Sequence, residues 1–362
     1  MKLLFFISSM RSGGAERVMS LIVNELIIRG HSVTLVVMSG NDNFYDLDPS
    51  ISIRYFDFKK GKNITQKLTN RVRMFSFIRN VSKEVNPDVI ISFIYQMNTN
   101  VLLSTRFLGI PVIVSEHNTL DRDMNLSEKI QRFYVSRLAD KITILTKHDY
   151  EFLGKKLKKK VVMYNPISFV PIESYNCERE KVILAVGSVN RYKHKGFDNL
   201  IDIWSEIGDL FPDWKLKIVG GYDESNLNYL KSLENYRKTN NKIEFLGQVK
   251  DVSVLLRNAS IFVLSSRWEG FPMVLLEAMS QGCTCVSYDV VSGPKEIITH
   301  DRDGILVRNQ VKSDMVDSLI SLMQEQKKRQ CLSENAIKSI KVFSVEETVD
   351  RWENIFQEVI KR

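Results

Sequence analysis

Short, unbroken apolar runs rich in Val and Ile recur along this chain, with longer amphipathic stretches between them. In the first half they fall at residues 3–7, 33–38, 51–56, 89–93, 111–115 and 141–145. In the second half they fall at 181–187, 216–220, 243–247, 261–264, 283–288 and 305–307. Runs that do not alternate with polar residues mark strands of a parallel sheet covered by helices on both faces. The stretch 164–180, with Pro166 and Pro171, is polar and aperiodic and reads as a linker. The pattern therefore predicts an α/β chain of two doubly wound domains, at 1–167 and 168–344. A terminal helix at 345–362 carries Val349, Trp352, Ile355 and Val359 at helical spacing.

One β-α-β unit, 260–288, holds the densest chemistry. A buried strand at 261–264 is followed by a polar connection from Ser265 to Phe271 and by Pro272, whose fixed φ suits the first turn of a helix. The helix runs from Met273 to Gln281 with Gly282 as its stop. Ligands of open parallel sheets bind beyond the carboxyl ends of the strands, and a helix starting there offers unbonded N–H groups to a phosphate. The N–H groups around Phe271, Met273 and Val274 are thus candidates for a diphosphate, and Gly270 and Pro272 belong to the same donor-binding segment. Glu269 stands beside them, free to bind sugar hydroxyls, and Glu277, two turns into the helix, is placed for a ribose diol.

Other strand ends carry further candidates. After the first strand, Gly13 and Gly14 open a helix, and paired glycines let backbone N–H groups approach a ligand. No dinucleotide fingerprint or P-loop is present. The segment from Gly187 carries Arg191, Lys193 and Lys195, cations suited to a diphosphate leaving group. His117 and Asn118 follow the strand at 111–115, and Tyr95 and Asn98 follow the one at 89–93 as acceptor-side candidates.

The Glu-Gly-Phe-Pro segment and the Glu269–Glu277 spacing closely resemble the E-x7-E signature of retaining glycosyltransferases of family 4, which have the GT-B fold. Gly-Gly-Ala-Glu-Arg at 13–17 resembles that family's N-terminal glycine loop, and Lys195-Gly196 resembles its cationic loop. The family's arginine follows the glycine directly, where this chain has Ser188, so Arg191 is the candidate replacement with Lys193 in reserve. The resemblance spans the whole chain. It implies two facing Rossmann-like domains, an acceptor-binding one and a nucleotide-sugar-binding one, with the C-terminal helix crossing back to the first. It also implies transfer of a hexose or N-acetylhexosamine, galacto-configured by preference, from a UDP-sugar to a lipid-linked saccharide with retention. In that reading Glu269, His117, Arg191 and Lys195 carry the chemistry, and the backbone near Val249 reads the base. No metal or other cofactor is expected, and the Asp-x-Asp triplets at 46–48, 121–123 and 301–303 read as surface loops.

Composition adjusts this picture little. The chain has 362 residues, 44% hydrophobic and 26% charged, as befits a folded protein. The four cysteines, Cys177, Cys283, Cys285 and Cys331, lack zinc-ligand spacing and read as free thiols. The N-terminal apolar run is too short for a signal core, and no stretch is long enough to span a membrane. A net charge of +8 asks for an anionic partner. No nucleic-acid signature accompanies it. Residues 59–83 concentrate Lys and Arg around Leu68, Val72, Phe75 and Ile78 at helical spacing, and 155–160 holds five further lysines. Such a helix suits an anionic membrane surface, or else packs its stripe on its own domain. The expected place is peripheral, on the cytoplasmic face of a bacterial inner membrane, in assembly of O-antigen, capsule or similar polysaccharide. A UDP-sugar epimerase of the same architecture, or a non-catalytic nucleotide-sugar-binding subunit, is the alternative.

Overall fold

The computed structural model describes residues 1–57, 63–121, 123–175, 178–238 and 242–361. Lys59, Lys60, Lys62, Cys177 and Arg362, which belong to expectations above, lie outside the described residues. The chain divides into two compact units, one of Met1–Pro166 with Ser344–Arg362, the other of Ile167–Phe343.

In the first unit, β1 (Lys2–Ile7), α1 (Gly14–Ile28), β2 (Ser32–Val37) and β3 (Ser52–Tyr55) lead to the long α2 (Ile64–Val85). Then follow β4 (Val89–Phe93), α3 (Tyr95–Thr105), β5 (Val112–Ser115), α4 (Leu126–Phe133), β6 (Lys141–Ile144), α5 (Lys147–Leu153) and β7 (Lys160–Val162). The strands pair in parallel in the order β3-β2-β1-β4-β5-β6-β7. β7 was not expected from the sequence; its three half-buried residues follow a lysine run that hides the apolar signal.

The second unit begins with β8 (Glu180–Val186), the short α6 (Tyr192–Lys195), α7 (Phe197–Ile207), β9 (Lys215–Val219), α8 (Glu224–Ser232) and α9 (Glu234–Lys238). It continues with β10 (Ile243–Gly247), α10 (Ser253–Asn258), β11 (Ala259–Leu264), α11 (Met273–Ser280) and β12 (Thr284–Asp289). It ends with α12 (Pro294–Ile297), β13 (Ile305–Arg308), α13 (Lys312–Gln324) and α14 (Gln326–Ser339). Its parallel order is β10-β9-β8-β11-β12-β13. Both sheets thus carry the doubly wound order in which the chain reverses direction beside its first strand. The reversal puts the segments after β8 and β11 next to each other, which decides the site below.

Each sheet has its own core. Leu4, Phe6, Ile90 and Val114 of the strands lie in the core of the first unit, and Ile183, Ile218, Ile261 and Val263 pack with Trp204 of α7 in the core of the second. Full burial of each such aliphatic side chain contributes about 1.5–3 kcal/mol, which is why these strands read so plainly in sequence. Cys283 and Cys285 are buried free thiols, and burial pushes the Cys283 thiol up to about 12.

The last helix, α15 (Val345–Ile360), belongs to the first unit. Ser344 caps it by accepting the Glu347 N–H, and Val349, Trp352, Ile355, Phe356 and Val359 are buried. Trp352 stacks on Phe93, with ring centroids 6.1 Å apart. The Arg29 guanidinium on the other side bonds Asp350 and, at 2.7 Å, Glu353, which also meets His31 at 2.7 Å. No helix among the described residues is long and apolar enough to cross a membrane.

One surface alternative is narrowed and one surface expectation is corrected. In α2 only Ile78 of the anticipated stripe is buried, while Leu68 and Val72 are 63% and 57% exposed. Asp303 of the third Asp-x-Asp triplet is buried instead of lying on a surface loop. It accepts the Thr299 N–H at 2.7 Å and pairs with Arg302.

Candidate functional site

In the second unit, the segments after β8 and β11 meet through Lys195 and Glu269. The Lys195 ammonium lies 2.8 Å from Glu269 Oε1, and the Ser266 hydroxyl donates to the same oxygen at 2.6 Å. Burial alone would raise the Glu269 carboxyl. The charge and hydrogen bond of Lys195, the Ser266 hydroxyl and nearby His194 together bring it below the usual range. Glu269 is therefore an ionised carboxylate held by two donors, and the expectation that it stands free for sugar hydroxyls is corrected. A ligand reaches its charge through Oε2 or by drawing Lys195 away.

The backbone around this pair is fixed by contacts between the two segments. Gly196 has φ +67°, and a Cβ on it would lie 2.0 Å from the Ser265 carbonyl oxygen, so only glycine permits the approach. The Lys195 methylenes pack over Gly187, where a Cβ would sit 3.1 Å from them. His194 stacks on Trp268 at 4.5 Å and is bonded on both ring nitrogens. Nε2 donates to the Trp268 carbonyl at 2.7 Å, so Nδ1 is the acceptor facing Arg191. Burial lowers its pKa, and the Arg191 and Lys195 charges work in the same direction. Arg191 is exposed and engaged with His194, and Lys193 is exposed, so among the three cations Lys195 is the one at the carboxylate.

Directly after Glu269 the chain passes Gly270 and buried Phe271, which packs on Phe343, and Pro272 caps α11. Among the described residues no side chain caps this terminus, so the N–H groups of Met273 and Val274 begin the helix without a capping side chain. Glu277 lies four residues into α11, just over one turn and not two, because the helix starts at Met273. Its carboxylate is buried and accepts the Ser168 hydroxyl at 2.8 Å. Val249 is half-buried beyond β10, whose last residue, Gly247, has positive φ.

In the first unit, His117 follows β5. Its ring stacks on Phe93 at 4.2 Å, Nε2 meets the Ser115 hydroxyl at 3.0 Å, and buried Nδ1 has no partner among the described residues. Burial lowers its pKa to about 3, so the ring is neutral at pH 7. Asn118 beside it is exposed. Asn98, expected on the acceptor side, is 1% exposed and donates to the Ser115 carbonyl at 3.0 Å; it is an internal strut. Tyr95 lies under the Arg132 guanidinium, 4.6 Å from its ring centroid. Arg132, 2% exposed, stands 3.3 Å from both Glu116 and Glu128. Ile94, at the turn between β4 and α3, has φ +73°, a strained setting for a β-branched residue. The Gly13 N–H is already engaged with the Tyr45 hydroxyl at 3.3 Å, and the Glu16 carboxylate lies over Gly13, which corrects the expectation of an open glycine loop. Gly14 is the first residue of α1.

Sequence reasoning missed Ser266, Arg267, His194 and Trp268 beside Glu269, and the Glu116–Arg132–Glu128 group beside His117. Ser266 to Trp268 adjoin Glu269 in the motif, a signal that was available; Arg132 lies on a different element from Glu116 and gave none.

Two parallel doubly wound units, with a cationic segment and a glutamate brought together at the strand ends of one, define the GT-B class of nucleotide-sugar enzymes. The chain belongs to the family 4 glycosyltransferases: the "Glycosyltransferase Family 4" model matches residues 12–169 and the "Glycosyl transferases group 1" model matches 172–339. An uncharacterized glycosyltransferase of Haemophilus influenzae is 28% identical over 98% of this chain and 99% of its own length. A Campylobacter jejuni α-1,4-N-acetyl-D-galactosaminyltransferase, named for a GalNAc- and diNAcBac-bearing diphospho-undecaprenol, is 27% identical over 99% of both chains. The amylovoran biosynthesis glycosyltransferase AmsD of Erwinia amylovora is 28% identical over 98% and 99%. Among solved structures, sucrose-phosphate synthase from Thermosynechococcus elongatus superposes with a TM-score of 0.84 at 14% identity, covering 99% of each chain. Anabaena HepE in complex with UDP gives 0.77 at 17%, covering 99% and 100%. The structural likenesses establish the GT-B fold.

Proposed function

We propose that the chain transfers a hexose or N-acetylhexosamine, galacto-configured by preference, from a UDP-sugar to a polyprenyl-diphosphate-linked saccharide, with retention, in bacterial surface-polysaccharide assembly. The observation that carries this reading is the Lys195–Glu269 pair, 2.8 Å apart, one loop ahead of the N-terminus of α11. A diphosphate seated on the Met273 and Val274 N–H groups meets the Lys195 charge, which stabilises it as it leaves. Arg191 and Lys193, both exposed on the same segment, add positive field. Glu269, ionised and held by Ser266, stabilises positive charge developing at the anomeric carbon. Glu277 accepts from the ribose in exchange for Ser168, and the backbone near Val249 receives the base. His117, neutral with an unbonded Nδ1, exchanges a hydrogen bond with a sugar hydroxyl. With fixed cations and helix N–H groups supplying the positive charge, no metal is required in this reading. The names of the Campylobacter and Erwinia relatives support the lipid-linked acceptor and the polysaccharide setting.

Attachment to an anionic membrane fits α2. Ile64, Leu68 and Val72 form an exposed stripe at 84%, 63% and 57% exposure, flanked by Lys67, Arg71 and Arg73. Each basic residue near an anionic surface adds about 1 kcal/mol of attraction. Flotation with vesicles containing phosphatidylglycerol is expected to carry the wild type and to lose Leu68→Asp; equal flotation with neutral vesicles would remove the electrostatic component.

The primary test is UDP release from a panel of UDP-sugars, with and without a polyprenyl-diphosphate-linked saccharide, in wild type and Glu269→Ala. Release that needs one donor and the lipid acceptor, and collapses in the variant, is the expected result. Conversion of donor without acceptor would replace the reading with an epimerase.

A further inference from the structure

We infer that Arg267 is a positioning residue that sets where Lys195 presents its charge, and so tunes affinity for the diphosphate of the donor; this rests on the donor-binding reading above. Helix α6 is a single turn, in which the Tyr192 carbonyl accepts the Gly196 N–H, and its later carbonyls look outward for partners. Three consecutive carbonyls around its end are each held from the segment after β11. The Lys193 carbonyl accepts from Arg267 Nη1, the His194 carbonyl accepts the Arg267 backbone N–H at 2.8 Å, and the Lys195 carbonyl accepts the Ser265 hydroxyl at 2.8 Å. The guanidinium plane is itself fixed. Nη1 and Nη2 bond the two Asp198 oxygens on α7 at 2.8 and 2.9 Å, and Nη2 also reaches Asn199 at 3.1 Å.

Arg267 therefore ties the end of α6 to the start of α7 across Gly196, the residue whose left-handed backbone makes the bend. A lysine side chain has four flexible carbons, so the placement of its ammonium depends on a fixed backbone. The Ser265 and backbone contacts survive a change at 267, whereas the contacts to Lys193 and Asp198 do not. Arg267 touches none of the groups that meet substrate; it acts on Lys195 through the peptide chain. A lysine at 267 could keep the charge but not the planar fork that serves a carbonyl and a carboxylate together.

The readout is the ratio of affinities for UDP and uridine, because only UDP engages Lys195. In Arg267→Met the UDP affinity is expected to fall about tenfold with uridine affinity unchanged, and kcat/KM to fall about 100-fold, as a displacement near 1 Å at a reacting site costs. Arg267→Lys should fall between, and Asp198→Asn, which leaves the Lys193 contact in place, should shift the same ratio by less. An unchanged ratio in both Arg267→Met and Asp198→Asn, or parallel loss of UDP and uridine, would overturn the inference, the latter showing a merely structural role. Wild type that binds no UDP would instead overturn the donor-binding reading on which it rests.

Discussion

The strand ends of the two units solve the same problem of buried charge in opposite ways. In the second unit Glu269 and Lys195 satisfy one another, Ser266 adds a donor, and the supporting carbonyls are bonded one by one. In the first unit, around His117, polar atoms are left over. Among the described residues, His117 Nδ1, Glu116 Oε2 and Asn98 Oδ1 are buried without hydrogen-bond partners, and Arg132 meets its carboxylates only at 3.3 Å. An unpaired buried polar atom costs about 1–3 kcal/mol, so the first arrangement is the less stable of the two as it stands. The difference teaches where each unit keeps its capacity to bind. The second holds its charge in a closed pair, while the first keeps an unpaired ring nitrogen that a hydroxyl can complete.

The largest effect should come from breaking the closed pair. Glu269→Gln keeps the shape, removes the charge and leaves Lys195 unopposed. Turnover is expected to fall about 1,000-fold, the upper range for loss of one preorganised electrostatic group. UDP affinity should not weaken, since Lys195 no longer has a competing partner. Steady-state kinetics with calorimetric UDP binding checks both; a fall in UDP affinity would mean that the carboxylate holds the lysine in place instead of competing for it.

Much of this comparison is legible in the order of residues along the chain. The buried strands stand out because a parallel sheet covered on both faces leaves no polar alternation to confuse with loops. Glu269, Lys195 and His117 stand out as charged or titratable groups just beyond such runs. The Lys195–Glu269 contact is not legible. It joins residues 74 positions apart and exists because β8 and β11 are neighbours, an outcome of strand order. Arg267 lies inside the motif, yet its side-chain partners, the Lys193 carbonyl and the Asp198 carboxylate, are 74 and 69 positions away. Asn98 misleads for a related reason: its place after a strand suggests the surface, but the amide turns inward to the Ser115 carbonyl. The α2 stripe shows its periodicity but not its exposure, which depends on what packs above it.

A second effect concerns the support of the open side. Phe93 lies between His117, 4.2 Å away, and Trp352 of α15, 6.1 Å away. Trp352 is 1% exposed, so Trp352→Ala opens a large void beside Phe93 and is expected to destabilise the first unit by about 3–5 kcal/mol. Denaturant unfolding should show the loss confined to one of two transitions. A loss shared equally by both would mean that the units unfold as one.

The smallest effect is the most specific to His117. Its folded-state pKa, about 3, lies below the ordinary value of 6.5, because the buried ring resists charging. The unfolded chain therefore takes up a proton as pH falls through 6.5, while the folded chain does not until about 3. The stability that depends on the neutral ring is fully present above 6.5 and is lost progressively from there down to about 3. The full linkage is about 1.4 kcal/mol per pH unit, and the half-buried ring reduces it, so about 1 kcal/mol should be lost between pH 6.5 and 5. His117→Gln removes a titrating group from that window. The difference between wild-type and variant unfolding free energies should narrow by about that amount as pH drops from 6.5 to 5. A difference that stays constant would mean that the ring accepts a proton in the folded protein, and that the open nitrogen on this side of the comparison belongs to a charged ring in acid.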